Sequence, residues 1–274
     1  MSRERILITV KTYPTLSSSY GETVCTAGVR EDGTWVRIYP VPFRRLGEEQ
    51  QYKKFDWVEC DLYKNTSDKR PESFRPSNPN ELQSVGHVDT SGNWQLRREI
   101  LLRRGRVYNR LAELISLAKT NKISLATFRP TEVLDFRWET DDRQWDQKKL
   151  DALRARANQL DLFDDESWRT TFRLVEKIPY EFYYRLKDED GKESRLSIWD
   201  WEVGALYWNC LRRHKSEELA LQKVREKYFD EFLKTDLHFF LGTTSQHHFQ
   251  APNPWIIIGA LAIPHEIQPD MFSL

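Results

Sequence analysis

The chain has 274 residues, enough for one large domain or two small ones, of which 39% are hydrophobic and 31% charged, with ten tryptophans. Large aromatics bury much area each, so a core is available and a disordered chain is excluded. Formal net charge is zero, but residues 1–130 hold 22 Lys+Arg against 15 Asp+Glu and the remainder 20 against 27, so a basic first half faces an acidic second half.

No apolar run approaches the roughly 20 residues that span a bilayer, and the opening MSRERILITV lacks a secretory apolar region. The three cysteines, Cys25, Cys60 and Cys210, are far apart and odd in number, which points away from a disulfide framework or cysteine zinc site. A cytoplasmic protein without membrane contact is expected.

In chain order, residues 6–10 read as a buried strand. Residues 23–39 read as a hairpin around Asp32-Gly33, the chemistry of a two-residue turn. That register pairs Arg30 with Trp35, Gly28 with Arg37 and Thr26 with Tyr39. Residues 55–63 alternate as a half-exposed strand, and 64–83 read as a long loop. Residues 94–119 read as helix broken near Gly105, 124–138 as strand interrupted at Pro130, and 145–160 as helix. A second hairpin covers 172–195. Ser197 and Asp200 fit a capping box that opens a helix to His214, followed by a helix over 216–233 and strands at 237–241 and 255–263. The expected fold is α+β: two lobes, each with a mainly antiparallel sheet, the first in the manner of a small OB- or PUA-like β-barrel, with helices packed on them. The expected division is a basic β-rich lobe over 1–141, a helix and acidic connection over 142–168, and an α+β lobe over 169–274, or one continuous domain.

Four groups of residues carry chemistry. On the expected hairpin face, Arg30, Trp35, Arg37 and Tyr39 interleave aromatic and basic side chains, which suits base stacking and phosphate contact. Arg97, Arg98, Arg103, Arg104, Arg106 and Arg110 fall within fourteen residues, and arginine forks match phosphate. Asp68 and Glu72 pair carboxylates in a charged loop, a weak pattern for Mg²⁺. His238, His247 and His248 lie on or after the strand at 237–241, where imidazoles serve as acid, base or ligand. The Trp199-Asp200-Trp201-Glu202 run reads as structural, with Trp201, Ala205 and Trp208 on one packed stripe.

Residues 159–163 read Gln-Leu-Asp-Leu-Phe. At all five positions they resemble the bacterial sliding-clamp-binding pentapeptide. That resemblance implies a clamp partner engaged by Gln159, Leu160, Leu162 and Phe163, and a bacterial protein acting at DNA. The leading expectation is a nucleic-acid-associated protein that binds DNA or RNA through its basic, aromatic N-terminal surface. Its alternatives are a metal-dependent nuclease or nucleotide hydrolase, and a protein-interaction module whose oppositely charged lobes seal against each other. No cofactor is expected, with Mg²⁺ entering only under the nuclease alternative.

Overall fold

In the computed structural model, which describes residues 2–17, 21–46, 51–160 and 175–266, the first apolar run lies in β1 (Ser2–Lys11). Ile6 and Ile8 face one core, Leu7 and Val10 another. A strand buried on both faces needs a continuous apolar run rather than alternation. β2 (Thr15–Ser17), β3 (Gly21–Val29), β4 (Trp35–Val41), β5 (Asp56–Lys64), β6 (Ser73–Pro76) and β7 (Gln83–His87) complete the first lobe. The order β1-β3-β4-β6-β5, with β5 pairing back onto β1, closes a five-stranded barrel. Val58, Cys60 and Leu62 of β5 point into it, as their alternation requires. The segment expected as a long loop contributes β6, parallel to β4 and antiparallel to β5. Its pairing comes from those neighbours rather than from its own pattern.

The β3–β4 hairpin corrects the expected register. Arg30 N–H donates to Thr34 O at 2.9 Å, and Gly33 N–H donates to Arg30 O at 3.0 Å. The loop is therefore three residues long, 31–33, and closes on Gly33 at φ 84°, the left-handed position such loops give to glycine. Val29 pairs with Trp35 and Ala27 with Arg37, one residue away from the two-residue solution.

After the barrel come α1 (Ser91–Arg98), a π-helical turn over Glu99–Arg104, β8 (Val107–Tyr108), α2 (Leu111–Lys119), β9 (Leu125–Phe128), β10 (Glu132–Thr140) and α3 (Gln147–Leu160). β11 (Tyr180–Lys187), β12 (Glu193–Ser197), α4 (Trp201–His214), α5 (Glu217–Arg225), β13 (Asp236–Thr243) and β14 (Trp255–Ile263) follow. β14-β13-β9-β8 form one sheet and β10-β11-β12 another. β10 and β11 pair along their length, although residues 141–179 separate them in sequence. Phe128, Phe136, Tyr184, Tyr207 and Phe239 fill the core between these sheets and the helices. The α+β architecture in two lobes, the first a small barrel, is as the sequence leads one to expect. Among the described residues no helix is long and apolar enough to cross a membrane.

Candidate functional site

The hairpin face expected to be an exposed platform is the seam between the lobes. Ala27, Val29 and Trp35 share a core with Phe240 and Ile258 of the second lobe, and Trp35 meets Phe240 edge-on at 5.4 Å. Arg37 is 1% exposed. Its guanidinium donates to Ser124 Oγ (2.7 Å) and O (3.0 Å), and to Thr243 O (3.4 Å). Arg30 is held by Glu4 at 2.7 Å, and Tyr39 Oη accepts from Thr23. The second lobe covers Trp35 and Arg37, so these two do not join Arg30 and Tyr39 in one open platform.

Arg37 belongs to a polar knot that gathers candidates from three separate expectations. Glu72 accepts from Ser124 N–H at 2.9 Å and from Ser124 Oγ at 2.5 Å. Arg70 donates to Thr243 O and to both oxygens of Asp68, which also accepts from Ser73 Oγ at 2.6 Å. Burial by itself raises the Asp68 carboxyl, but hydrogen bonds and charge from Arg70 outweigh it and hold it well below the usual range. His248 is fully buried. Its Nε2 lies 3.0 Å from Asn121 Oδ1 and its Nδ1 2.8 Å from Thr243 Oγ1. Burial, then the charges of Arg70 and Arg37, push His248 down to about 4, so at neutral pH it is an uncharged strut. Asp68 and Glu72 thus turn to different partners inside a closed interface, rather than toward a shared cation.

The other candidates do not converge. His238 is buried beside Asp236, and burial lowers its pKa. His247 is exposed. Arg98 is buried and donates to Pro264 O, and Arg97 is buried against Val88 O. Arg103, Arg104, Arg106 and Arg110 are exposed, but each meets a carboxylate: Glu266, Glu99, Glu113 and Glu189 at 3.1, 3.3, 2.6 and 2.9 Å. Gln159 and Leu160 close α3, and residues 161–163 of the pentapeptide lie outside the described residues.

The open site lies elsewhere on the lobe boundary. Asp200 is the N-cap of α4, its side chain accepting from Glu202 N–H at 3.2 Å. Ser197, expected to cap, instead bonds Glu181 at 2.6 Å. Trp201, Ala205 and Trp208, expected to be core, line a groove of about 510 Å³ with Tyr13, Arg44 and Arg212. Trp208 Nε1 donates to Tyr13 Oη (2.9 Å), which donates to Glu176 O (2.8 Å). A Cβ on Gly204 would fall 2.3 Å from the Tyr13 ring, so a glycine lets the tyrosine lie against the helix. Arg212 is oriented by Asn209 Oδ1 at 2.6 Å.

Charges cluster beside Trp201. Lys11 Nζ lies 4.3 Å from the Phe43 ring centre and 5.5 Å from that of Trp201, and donates to Tyr52 O at 3.1 Å. Burial pushes its pKa down. Lys54 Nζ donates to Glu202 (2.8 Å) and Ala260 O (2.9 Å). Asp200 Oδ2 is buried with no hydrogen-bond partner among the described residues. Burial raises Asp200 to about 7 against the pull of Lys54 and Lys11. The sequence signal for this site was the Trp-Asp-Trp-Glu run, but its partners Lys11, Tyr13 and Lys54 lie far away in the chain.

Residues 2–103 match a family model described as a domain of unknown function (DUF8758), and residues 108–273 match another, a domain of unknown function (DUF8757). The knot and the groove each draw residues from both matches. No curated protein matches the chain.

Proposed function

The chain belongs to the DUF8757 family, and we propose that it binds DNA or RNA by taking an unstacked base into the groove between α4 and the barrel. The observation that carries this reading is the groove itself, in which Tyr13, Trp201 and Trp208 share one space with Arg44 and Arg212. Its volume suits a nucleotide-sized group. Stacking on aromatics tolerates any base, and arginine forks take the adjoining phosphates. The exposed arginines between 103 and 110 are weaker contacts, because phosphate competes there with carboxylates already in place. Binding of single-stranded oligonucleotides is expected to fall with salt and to weaken in Trp208→Ala, with a shallower salt slope in Arg212→Ala. No binding, or binding indifferent to both changes, overturns the reading.

A nucleotide-directed enzyme is the second reading, favoured by Asp200, which caps the helix that walls the groove, keeps a buried Oδ2 without a hydrogen-bond partner among the described residues, and has its carboxyl raised by burial. Under it, Asp200→Asn abolishes turnover of a nucleotide substrate while the groove still binds it. Turnover unchanged by that substitution removes this reading. A bacterial, cytoplasmic setting and recruitment by a sliding clamp through residues 159–163 belong to the leading proposal. A labelled peptide of that segment should bind the clamp and lose binding when Leu162 and Phe163 are both changed to alanine. Equal binding by the two peptides rejects the clamp.

A further inference from the structure

The rim of the groove holds a carboxylate, which is out of place where phosphates are taken. Glu176 lines the groove together with Arg44 and Arg212, and it is exposed. Among the described residues its carboxylate makes no hydrogen bond and no ion pair within 4.0 Å. A negative charge there repels every strand through its phosphates, unless a base brings donors to it.

The backbone of Glu176 is fixed from inside the groove. Trp208 Nε1 donates to Tyr13 Oη at 2.9 Å, and Tyr13 Oη donates to Glu176 O at 2.8 Å. Trp145 Nε1 donates to the neighbouring Val175 O, also at 2.8 Å. These bonds tie the acidic rim to the indole ring of Trp208, so rim and ring hold one geometry before a ligand arrives.

Asn209 lines the same groove, next to Trp208 in α4. A guanidinium only donates, so the Asn209 atom that meets Arg212 Nη2 at 2.6 Å is Oδ1. That bond settles which end of the amide is which and leaves Nδ2 as the open donor. Nδ2 meets no acceptor among the described residues, Glu176 included. One groove thus offers an amide donor and a carboxylate that do not satisfy each other, and a ligand with the complementary pattern bridges them.

Bases differ in that pattern. The Watson–Crick edge of guanine presents an acceptor, O6, beside two adjacent donors, N1–H and the amino group on C2. Adenine presents one donor and one acceptor, cytosine one donor and two acceptors, and thymine or uracil one donor between two acceptors. Only guanine gives a carboxylate two donors side by side, the bidentate match that an arginine fork makes. Against the other bases at least one oxygen of Glu176 faces a lone pair or lacks a donor.

We infer that the groove selects guanine: Glu176 accepts from N1–H and the C2 amino group, Asn209 Nδ2 donates to O6, and Trp208 stacks on the ring. Arg212, held by Asn209 Oδ1, stays with the phosphate. The inference rests on the reading of the groove as a base site and gives that site its specificity.

The test uses the full chain and thymine-only strands that carry one central guanine, inosine or adenine, read by fluorescence anisotropy, with GMP and AMP titrated separately by calorimetry. The guanine strand is expected to bind about tenfold tighter than the adenine strand. Inosine lacks the amino group and is expected to fall between them. Glu176→Gln, which replaces one acceptor by a donor, is expected to bring the guanine and adenine strands to equal affinity. A preference among strands identifies guanine within nucleic acid. Tighter binding of GMP than of AMP with no strand bound identifies a free nucleotide, and strand binding then fails alone. Equal affinity for the three strands, with GMP and AMP alike, overturns the inference and leaves the groove as an unselective base site. No binding of any strand or nucleotide removes both. A guanine preference that survives Glu176→Gln, even with affinity raised for every strand, overturns the role of Glu176. Should that variant fail to fold, the wild-type comparison of the three strands decides.

Discussion

The polar knot and the Trp201 seam lie on the same lobe boundary and treat charge in opposite ways. In the knot, Arg37, Arg70, Asp68 and Glu72 each end on named partners. At the seam, Asp200 keeps an oxygen without a hydrogen-bond partner among the described residues, while an aromatic groove stays open along Trp201. A closed network of buried charge holds lobes together; an incomplete one leaves capacity for a ligand. Buried charge alone therefore does not mark a functional site, and its satisfaction has to be counted atom by atom.

The comparison breaks most directly at Arg37. Arg37→Ala takes the donor from Ser124 O and leaves Thr243 O to Arg70 alone, and is expected to cost about 3–5 kcal/mol in chemical denaturation, as losing one partner of a buried charged network does. A loss below about 1 kcal/mol would show that the knot contributes little.

A pH scan of stability sharpens the contrast, because the two aspartates carry opposite signs. Asp200 is raised in the folded state, so its ionisation opposes folding increasingly from about pH 4 to about pH 7. Asp200→Asn is expected to match the wild type near pH 4 and to be more stable above pH 7, by on the order of 2–4 kcal/mol. Asp68 is depressed, so its contribution is present above its unfolded value near 3.8 and is lost as pH falls below that. Asp68→Asn should be less stable than the wild type at neutral pH, with the gap closing in acid. Identical pH profiles for the two variants would erase the distinction.

Binding effects are smaller. Trp208→Ala is expected to cost about 1–3 kcal/mol of oligonucleotide affinity, the worth of one stacked base, measured by fluorescence anisotropy. Replacing Arg103, Arg104 and Arg106 together should move thermal stability least, since exposed ion pairs contribute roughly 0–1 kcal/mol each. A larger affinity loss from this triple change than from Trp208→Ala would return the main contact to the arginine run.

Much of the fold was legible because its signals are local. The alternation of Val58, Cys60 and Leu62 and the apolar run at residues 6–10 led directly to β5 and β1. The hairpin was legible as a hairpin, but Asp32-Gly33 serves two- and three-residue loops alike, and that single residue decides every pairing beyond it. β6 carries no pattern of its own and exists because β4 and β5 flank it. The candidate site was barely legible. Trp201, Ala205 and Trp208 announced a stripe, but a stripe at helical spacing looks the same whether a core or a groove lies against it.

Sequence by itself determined that this protein has an aromatic core, an α+β architecture and a small barrel at its start, because propensity, alternation and turn chemistry act over a few residues. Only tertiary structure decided which charges are enclosed. Arg97 and Arg103 are six residues apart and chemically identical; one is packed between two rings, the other meets glutamates in solvent. The difference lies in what distant strands and helices bring against each side chain, and burial is a property of the assembled fold.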